Sequence, residues 1–184
     1  FNRSIGNTTL VVPYLDAKDR PTDAAGWTAL GQELGRLARQ MRAKGMRLAY
    51  HNHDFELAEV NGTTGLERLF AAAGPDLQTE LDLAWVARAG HDPAVMLGKF
   101  RGRLFAVHAK DNAPKGQAED EGGFAAVGQG VLDWNAILPA ASAAGVQWYI
   151  LEHDQPRDPA KVIQTGADYL REHLTVSPPA GAQR

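Results

Sequence analysis

Short apolar, β-branched runs alternate along the chain with longer stretches whose apolar residues recur every three or four positions. The short runs are Thr8–Tyr14 (TTLVVPY), Met46–His53 (MRLAYHNH), Leu77–Leu83 (LQTELDL), Leu104–His108 (LFAVH) and Gln147–Leu151 (QWYIL). They predict five strands, the first of them buried. Between the first two, Trp27, Leu30, Leu34, Leu37 and Met41 fall on one helical face, after a cap at Thr22 or Asp23 and before Gly45. Further helices are predicted over Gly65–Ala73, stopped by Gly74-Pro75, and from Asp92-Pro93 onward with Val95, Met96, Leu97 and Phe100 apolar. Two more follow, one capped by Asp133 and closed by Gly145, the other over Pro159–Leu174. A polar, Gly-rich loop fills Asp111–Gly130. Residues 1–175 read as one domain, and 176–184, rich in Pro, Gly and Ala, as a disordered tail.

Five strands, each followed by a helix, predict a parallel α/β architecture. A doubly wound sheet and part of a (β/α)8 barrel both fit. The open sheet normally carries a Gly-rich phosphate loop after its first strand, and no G-x-G-x-x-G follows Thr8–Tyr14. A whole barrel takes about 250 residues, and the 184 here supply five of its eight units.

Composition narrows the chemistry. With 19 basic and 22 acidic residues the net charge is −3, which speaks against a nucleic-acid partner. There is no cysteine, so disulfides, Cys-zinc sites and thiol nucleophiles are excluded. No apolar run approaches the ~20 residues of a membrane helix. The opening Phe1-Asn2-Arg3-Ser4 lacks the pattern of a secretory leader, which points to the cytoplasm.

Ionisable residues gather at the C-terminal ends of four successive strands, the edge where parallel α/β folds build their sites. The second strand ends in His51-Asn52-His53, followed by Asp54 and Glu56. The third carries Glu80 and Asp82, with Trp85 beyond, the fourth ends in His108-Ala109-Lys110-Asp111, and the fifth in Glu152-His153-Asp154. Imidazoles and carboxylates together suit a divalent metal: Mn, Zn, Co, Fe or Mg. Alternation along a strand turns His51 with His53, Glu80 with Asp82, His108 with Lys110, and Glu152 with Asp154.

Each residue also has a plainer reading. His51 and His53 fit a hydrogen-bonded pair ending a strand, Asp82 a backbone cap, and His108 a satisfied core histidine. Glu80 fits a supporting role or a pair with Lys110, and Asp111 an anchor for the loop or for His108. Gly128 and Gly130 read as a tight turn, Trp27, Trp134 and Trp148 as packing residues, and His91 and His173 as solvated.

The chain resembles the sugar phosphate isomerase/epimerase superfamily with a xylose isomerase-like TIM barrel, which includes inosose dehydratases and endonuclease IV-type enzymes. The motifs that carry the resemblance are Tyr50-His51-Asn52-His53-Asp54-Phe55-Glu56, Glu80-Leu81-Asp82-Leu83-Ala84-Trp85 and Gly90-His91-Asp92-Pro93. They continue with Val107-His108-Ala109-Lys110-Asp111, Gly128-Gln129-Gly130-Val131-Leu132-Asp133-Trp134 and Leu151-Glu152-His153-Asp154, over about residues 8–174.

The resemblance implies one divalent metal ion held by the end of the second strand, Asp82, His108 and Glu152. His51 stands where the family usually has a glutamate, with His53 and Glu56 close behind. Trp85 stands where a histidine is frequent, and is expected to stack on a sugar-like substrate. The implied activity is a metal-dependent isomerase or epimerase acting through a metal-stabilised enediolate, with His53 and Glu56 as base and acid and Lys110 facing the developing oxyanion. The alternatives are an inosose or keto-sugar dehydratase with the same metal site, a non-catalytic sugar-binding barrel, and a phosphodiesterase of endonuclease IV type. The implied partner is a small sugar or polyol, with no nucleic acid or membrane, and homo-oligomerisation stays open. Against the family the five units match strands 4–8 of the barrel. The chain is therefore expected to be a C-terminal part with two raw sheet edges, which weakens the cytoplasmic expectation.

Overall fold

In a computed structural model, which describes residues 1–174, five strands form one parallel sheet: β1 (Thr9–Val12), β2 (Arg47–His51), β5 (Leu77–Asp82), β6 (Leu104–Ala109) and β9 (Trp148–Leu151). Their order is β1-β2-β5-β6-β9, with every neighbour parallel. Each strand thus lies beside the next main strand in the chain, and the sheet has no switch point. That is the logic of a barrel and not of a doubly wound sheet. The helices α1 (Ala24–Arg42), α2 (Gly65–Ala73), α3 (Leu83–Arg88), α4 (Pro93–Lys99), α5 (Trp134–Ala144) and α6 (Pro159–His173) fill the intervals. The result is a parallel half-barrel of five β/α units.

Local signals set the boundaries. Asp23, and not Thr22, caps α1, accepting from the Gly26 N–H at 2.7 Å. Thr64 and Glu67 form a reciprocal capping box at α2. Asp92, Asp133 and Asp158 cap α4, α5 and α6. Four of the main strands are one to three residues shorter than the sequence suggests, β6 is one residue longer, and His53 lies beyond the end of β2. Three short elements have no periodic signal: α3, the hairpin β3/β4 (Glu59–Val60, Thr63–Thr64), and the pairing of β7 (Asp111–Asn112) with β8 (Phe124–Ala125). The last lies inside the segment expected to be loop. The tail expected at 176–184 lies outside the described residues.

The sheet has two unlike faces. Leu48, Tyr50, Leu77, Leu81, Leu104, Val107 and Ala109 pack with the helices in the main core. On the opposite, inner face Ala49, Phe105 and Ala106 form a small second cluster with Val11 and Ile150. Trp27 and Trp134 are core residues as expected, but Trp148 is 65% exposed. It lies opposite Ala106 in the register, on the thinly covered inner face. Val95 is also exposed, at the turn of α4 that faces away from the core.

A β-bulge decides which residues reach the inner face. Thr79 pairs with Leu104, but Glu80 pairs with Ala106 and Asp82 with His108, so Phe105 is one residue extra on β6. Phe105 and Ala106 both lie on the inner face, and the alternation restarts one step later. Without that step His108 would face the helices.

Candidate metal centre

The C-terminal ends of β2, β5, β6 and β9 bring His51, Glu80, Asp82, His108, Lys110 and Glu152 together. His108 is the hub. Its Nε2 lies 2.9 Å from Glu80 Oε1, and its Nδ1 lies 3.0 Å from Glu152 Oε2 and 3.7 Å from Asp82 Oδ2. His51 lies against it, with ring centroids 4.2 Å apart, and His51 Nδ1 is 3.8 Å from Glu80 Oε1. Lys110 Nζ sits between three carboxylates: Glu152 at 2.8 Å, Asp154 at 3.0 Å and Asp82 at 3.1 Å. Lys110 therefore pairs with these acids and not with Glu80.

Asp82 takes the backbone-cap role, and its second oxygen faces the cluster. Oδ1 accepts from the Trp85 N–H at 2.9 Å and caps α3. Oδ2 points into the cluster, near Lys110 but not aligned with a donor, and has no hydrogen-bond partner. Asn52 steadies the strand end, its Oδ1 accepting from the Asp82 N–H at 3.0 Å.

Burial and charge set the protonation states. Burial drives the His51 pKa down to about 3, helped by the neighbouring His108 and His53, so the ring is neutral. His53 is lowered by burial and by Lys110. For His108 burial also works downward, but hydrogen bonds to Glu152 and Glu80 and the Asp82 charge outweigh it and raise the pKa to about 9. Burial raises Asp82, partly offset by Lys110. Burial would raise Glu152 too, but hydrogen bonds from His108 and Lys110 win and hold it well below the usual carboxylate range.

The site widens into an aromatic rim. His53 lies 5.5 Å from Trp85 and 5.0 Å from Tyr14, centroid to centroid. Lys110 Nζ lies 4.6 Å from the Phe124 ring and 5.5 Å from that of Trp85. Arg88 stacks on Phe124 at 3.5 Å and donates to Asn112 Oδ1 and the Gly122 carbonyl, clasping the β7–β8 loop over the site. Arg88 and Phe124 escape sequence reasoning, because neither lies at a main strand end. Buried side-chain atoms without a hydrogen-bond partner concentrate here: His51 Nδ1, His53 Nδ1, Asp82 Oδ2 and Trp85 Nε1. Among the described residues only Thr79 Oγ1 is another.

Glu56 does not join the cluster. It is fully buried, with one oxygen accepting from Tyr50 Oη at 2.8 Å and the other from the His53 N–H at 2.9 Å. Burial raises its pKa to about 7. Tyr50 points to the helix side of β2, so Glu56 braces the back of the strand. Asp111 is also architectural. It accepts from the backbone N–H of Asn112, Gly128, Gly130 and Leu132 and from Trp134 Nε1. His153 and Asp54 form no part of the ion-pair cluster, His173 stacks on Tyr169, and His91 meets the Leu57 carbonyl at 3.0 Å.

The donor set fits a divalent ion. Two trios have ligand atoms within 4.8 Å of one another: Asp82, His108 and Glu152, and His51, Glu80 and His108. Each contains a buried atom with no hydrogen-bond partner, Asp82 Oδ2 or His51 Nδ1. Mixed imidazole and carboxylate ligands suit Zn²⁺, Mn²⁺, Fe²⁺ or Co²⁺.

Comparison with known proteins agrees with this architecture. Inosose dehydratase of Lacticaseibacillus casei is 30% identical over 150 residues, covering 73% of this chain and 49% of that protein. The chain thus spans about half the length of the curated relatives it matches. A sugar phosphate isomerase/epimerase from Parabacteroides distasonis superposes with a TM-score of 0.77 at 21% identity, covering 92% of this chain and 59% of that one. The IolI protein, solved with a zinc atom bound, gives 0.73 at 18% identity, covering 95% and 66%. No helix among the described residues is long and apolar enough to cross a membrane. The family profile described as xylose isomerase-like TIM barrel matches residues 2–173, and the chain, a parallel half-barrel with its polar cluster at the strand ends, belongs to that family.

Proposed function

We propose that this chain carries the metal-binding half of a sugar-processing enzyme that moves a proton next to a carbonyl on a keto-sugar or inosose. The observation that carries the reading is the cluster at the strand ends, where acids and imidazoles surround His108 and four buried polar atoms lack partners. A polyhydroxylated substrate supplies such partners at closely spaced positions.

A divalent ion held by Asp82, His108 and Glu152, with His51 beside them, would polarise a carbonyl and its neighbouring hydroxyl. The chain's own groups do the rest. His53, kept neutral by burial, has a free Nδ1 at the rim and serves as the base that takes a proton from carbon. Lys110 is an ammonium gripped by three acids, so it fixes Asp82 and Glu152 and lends positive charge to the substrate oxygens. Trp85 offers a ring face and a free indole N–H to a sugar-sized ligand. The acid that completes the reaction is not Glu56, whose oxygens are both engaged.

Returning the proton to the neighbouring carbon gives isomerisation, returning it to the opposite face gives epimerisation, and loss of a β-hydroxyl gives dehydration. The 30% identity to an inosose dehydratase favours dehydration of an inosose as the second reading. Incubation with keto-sugars and inososes in heavy water, followed by NMR, tests both. Deuterium at the carbon beside the carbonyl is expected, and it disappears in metal-stripped protein. Undiminished exchange after stripping, or none with any substrate in the metal-loaded protein, overturns the reading.

A further inference from the structure

The pairing of β2 with β5 ends before β5 does. The last register pair is His51 with Glu80, yet β5 runs on to Asp82 while the chain after β2 turns away. In a regular parallel ladder the Asp82 N–H would take a backbone carbonyl of β2. It takes the Asn52 side-chain oxygen instead, at 3.0 Å. The other arm of the same amide donates to the His53 carbonyl at 3.1 Å. The His53 N–H is bound by Glu56 at 2.9 Å. Both backbone groups of His53 are thus held by side chains and not by the sheet.

We propose that Asn52 is a positioning residue for the proton transfer: its amide sets the His53 ring against Asp82 and so ties the base to the metal ligand. The inference rests on the reading above, in which His53 is the base and Asp82 a ligand, and adds the residue that holds the two in register. Three observations carry it. Asn52 is fully buried, where an unpaired amide would be costly, and its oxygen and its nitrogen both have partners. The bond to Asp82 spans 30 residues of chain, so it is no local turn motif. His53 sits where the direction of its ring matters, 5.0 Å from His51 and 5.5 Å from Trp85, with Nδ1 lacking a partner.

A carboxamide meets both demands of this place. The Asp82 N–H needs an acceptor and the His53 carbonyl a donor, one on each arm of a planar group. An aspartate keeps the shape and the acceptor but turns a second acceptor towards the His53 carbonyl. An alanine offers neither. The two substitutions therefore separate the bond to His53 from the bond to Asp82. Displacing a reacting group by about 1 Å costs on the order of 10²-fold in rate.

The test measures deuterium exchange from heavy water into an inosose or keto-sugar, with bound Zn²⁺ measured on the same samples of the full chain. Asn52→Asp is expected to lower kcat by about 10–100-fold, with KM and bound Zn²⁺ changed by less than about twofold. Asn52→Ala is expected to lower kcat at least as far and to weaken Zn²⁺ binding as well. It carries the test alone if the buried carboxylate of Asn52→Asp prevents folding. Gly130→Ala, a packing lesion elsewhere, is expected to leave kcat per folded molecule unchanged. In metal-free protein carrying isotopically labelled histidine, the His53 ring signals are assigned by their absence in His53→Gln. They are expected to move in the Asn52 variants while those of His91 and His173 stay. Unchanged kcat in the Asn52 variants, a rise in KM alone, or full recovery of kcat at saturating Zn²⁺ overturns the inference. If the wild type exchanges no deuterium, the proposed reaction falls and the ring signals decide alone: unmoved His53 signals overturn the positioning role, and displaced ones support it.

Discussion

Asp111 and Asp82 are both fully buried carboxylates at the C-terminal edge of the same sheet, and they do opposite things. Asp111 is saturated by four backbone N–H groups and an indole N–H. It ties the loop after β6 to the start of α5, and nothing is left to bind a ligand. Asp82 satisfies one oxygen at a helix cap and leaves the other without a hydrogen-bond partner, 3.1 Å from the Lys110 ammonium among acids and imidazoles. A buried acid with a full set of donors is architecture; a buried acid left short, beside other acids, is a site.

This contrast can be broken at several points. The largest effect is expected for His108→Ala, which removes the hub of both trios. Metal binding and deuterium exchange should fall below detection, while the circular dichroism spectrum keeps its form. Next comes Asp111→Ala, which orphans five donors and should cost about 3–5 kcal/mol in urea unfolding. Asp82→Asn is its counterpart, with activity lost but folding stability moving by no more than about 1 kcal/mol. Gly130→Ala would press a methyl group onto the Asp111 carboxylate and should destabilise by about 1–3 kcal/mol without changing the ion count.

Glu56 gives a pH test. Its folded pKa of about 7 exceeds the ordinary 4.5, so its contribution to stability is present below about pH 4.5 and is lost as pH rises towards 7. Replacing it by Gln should flatten that part of the stability profile by on the order of 2 kcal/mol. The smallest effect belongs to Trp148→Thr, at an exposed position, where a change within about 0.5 kcal/mol is expected.

Much of this was legible from residue order. Short apolar, β-branched runs located all five main strands, and helical spacing with cap and stop residues located five of the six helices. The strand-end acids and histidines met in space because parallel register aligns the C-terminal ends. What escaped has physical causes. The helix α3 is too short to display a period, and its cap is Asp82, a residue read first for its chemistry. Glu56 looked like a site acid because it follows His53 closely. Yet Tyr50 faces away from His51, and its buried hydroxyl needs an acceptor on the helix side. The role of Glu80 is not legible in residue order, because its partner depends on how β5 is registered against β6.

That register rests on the extra residue at Phe105. A strand behaves like a wave of two-residue wavelength, and the bulge shifts its phase by half a cycle. Before the shift, alternate residues of β6 fill the core; after it, His108 and Lys110 stand in phase with Glu80 and Asp82. The chemistry of the fourth strand is therefore encoded in its phase as much as in its letters. Were Phe105 to take a regular place in the ladder, with no bulge, the same donors would be turned towards the helices.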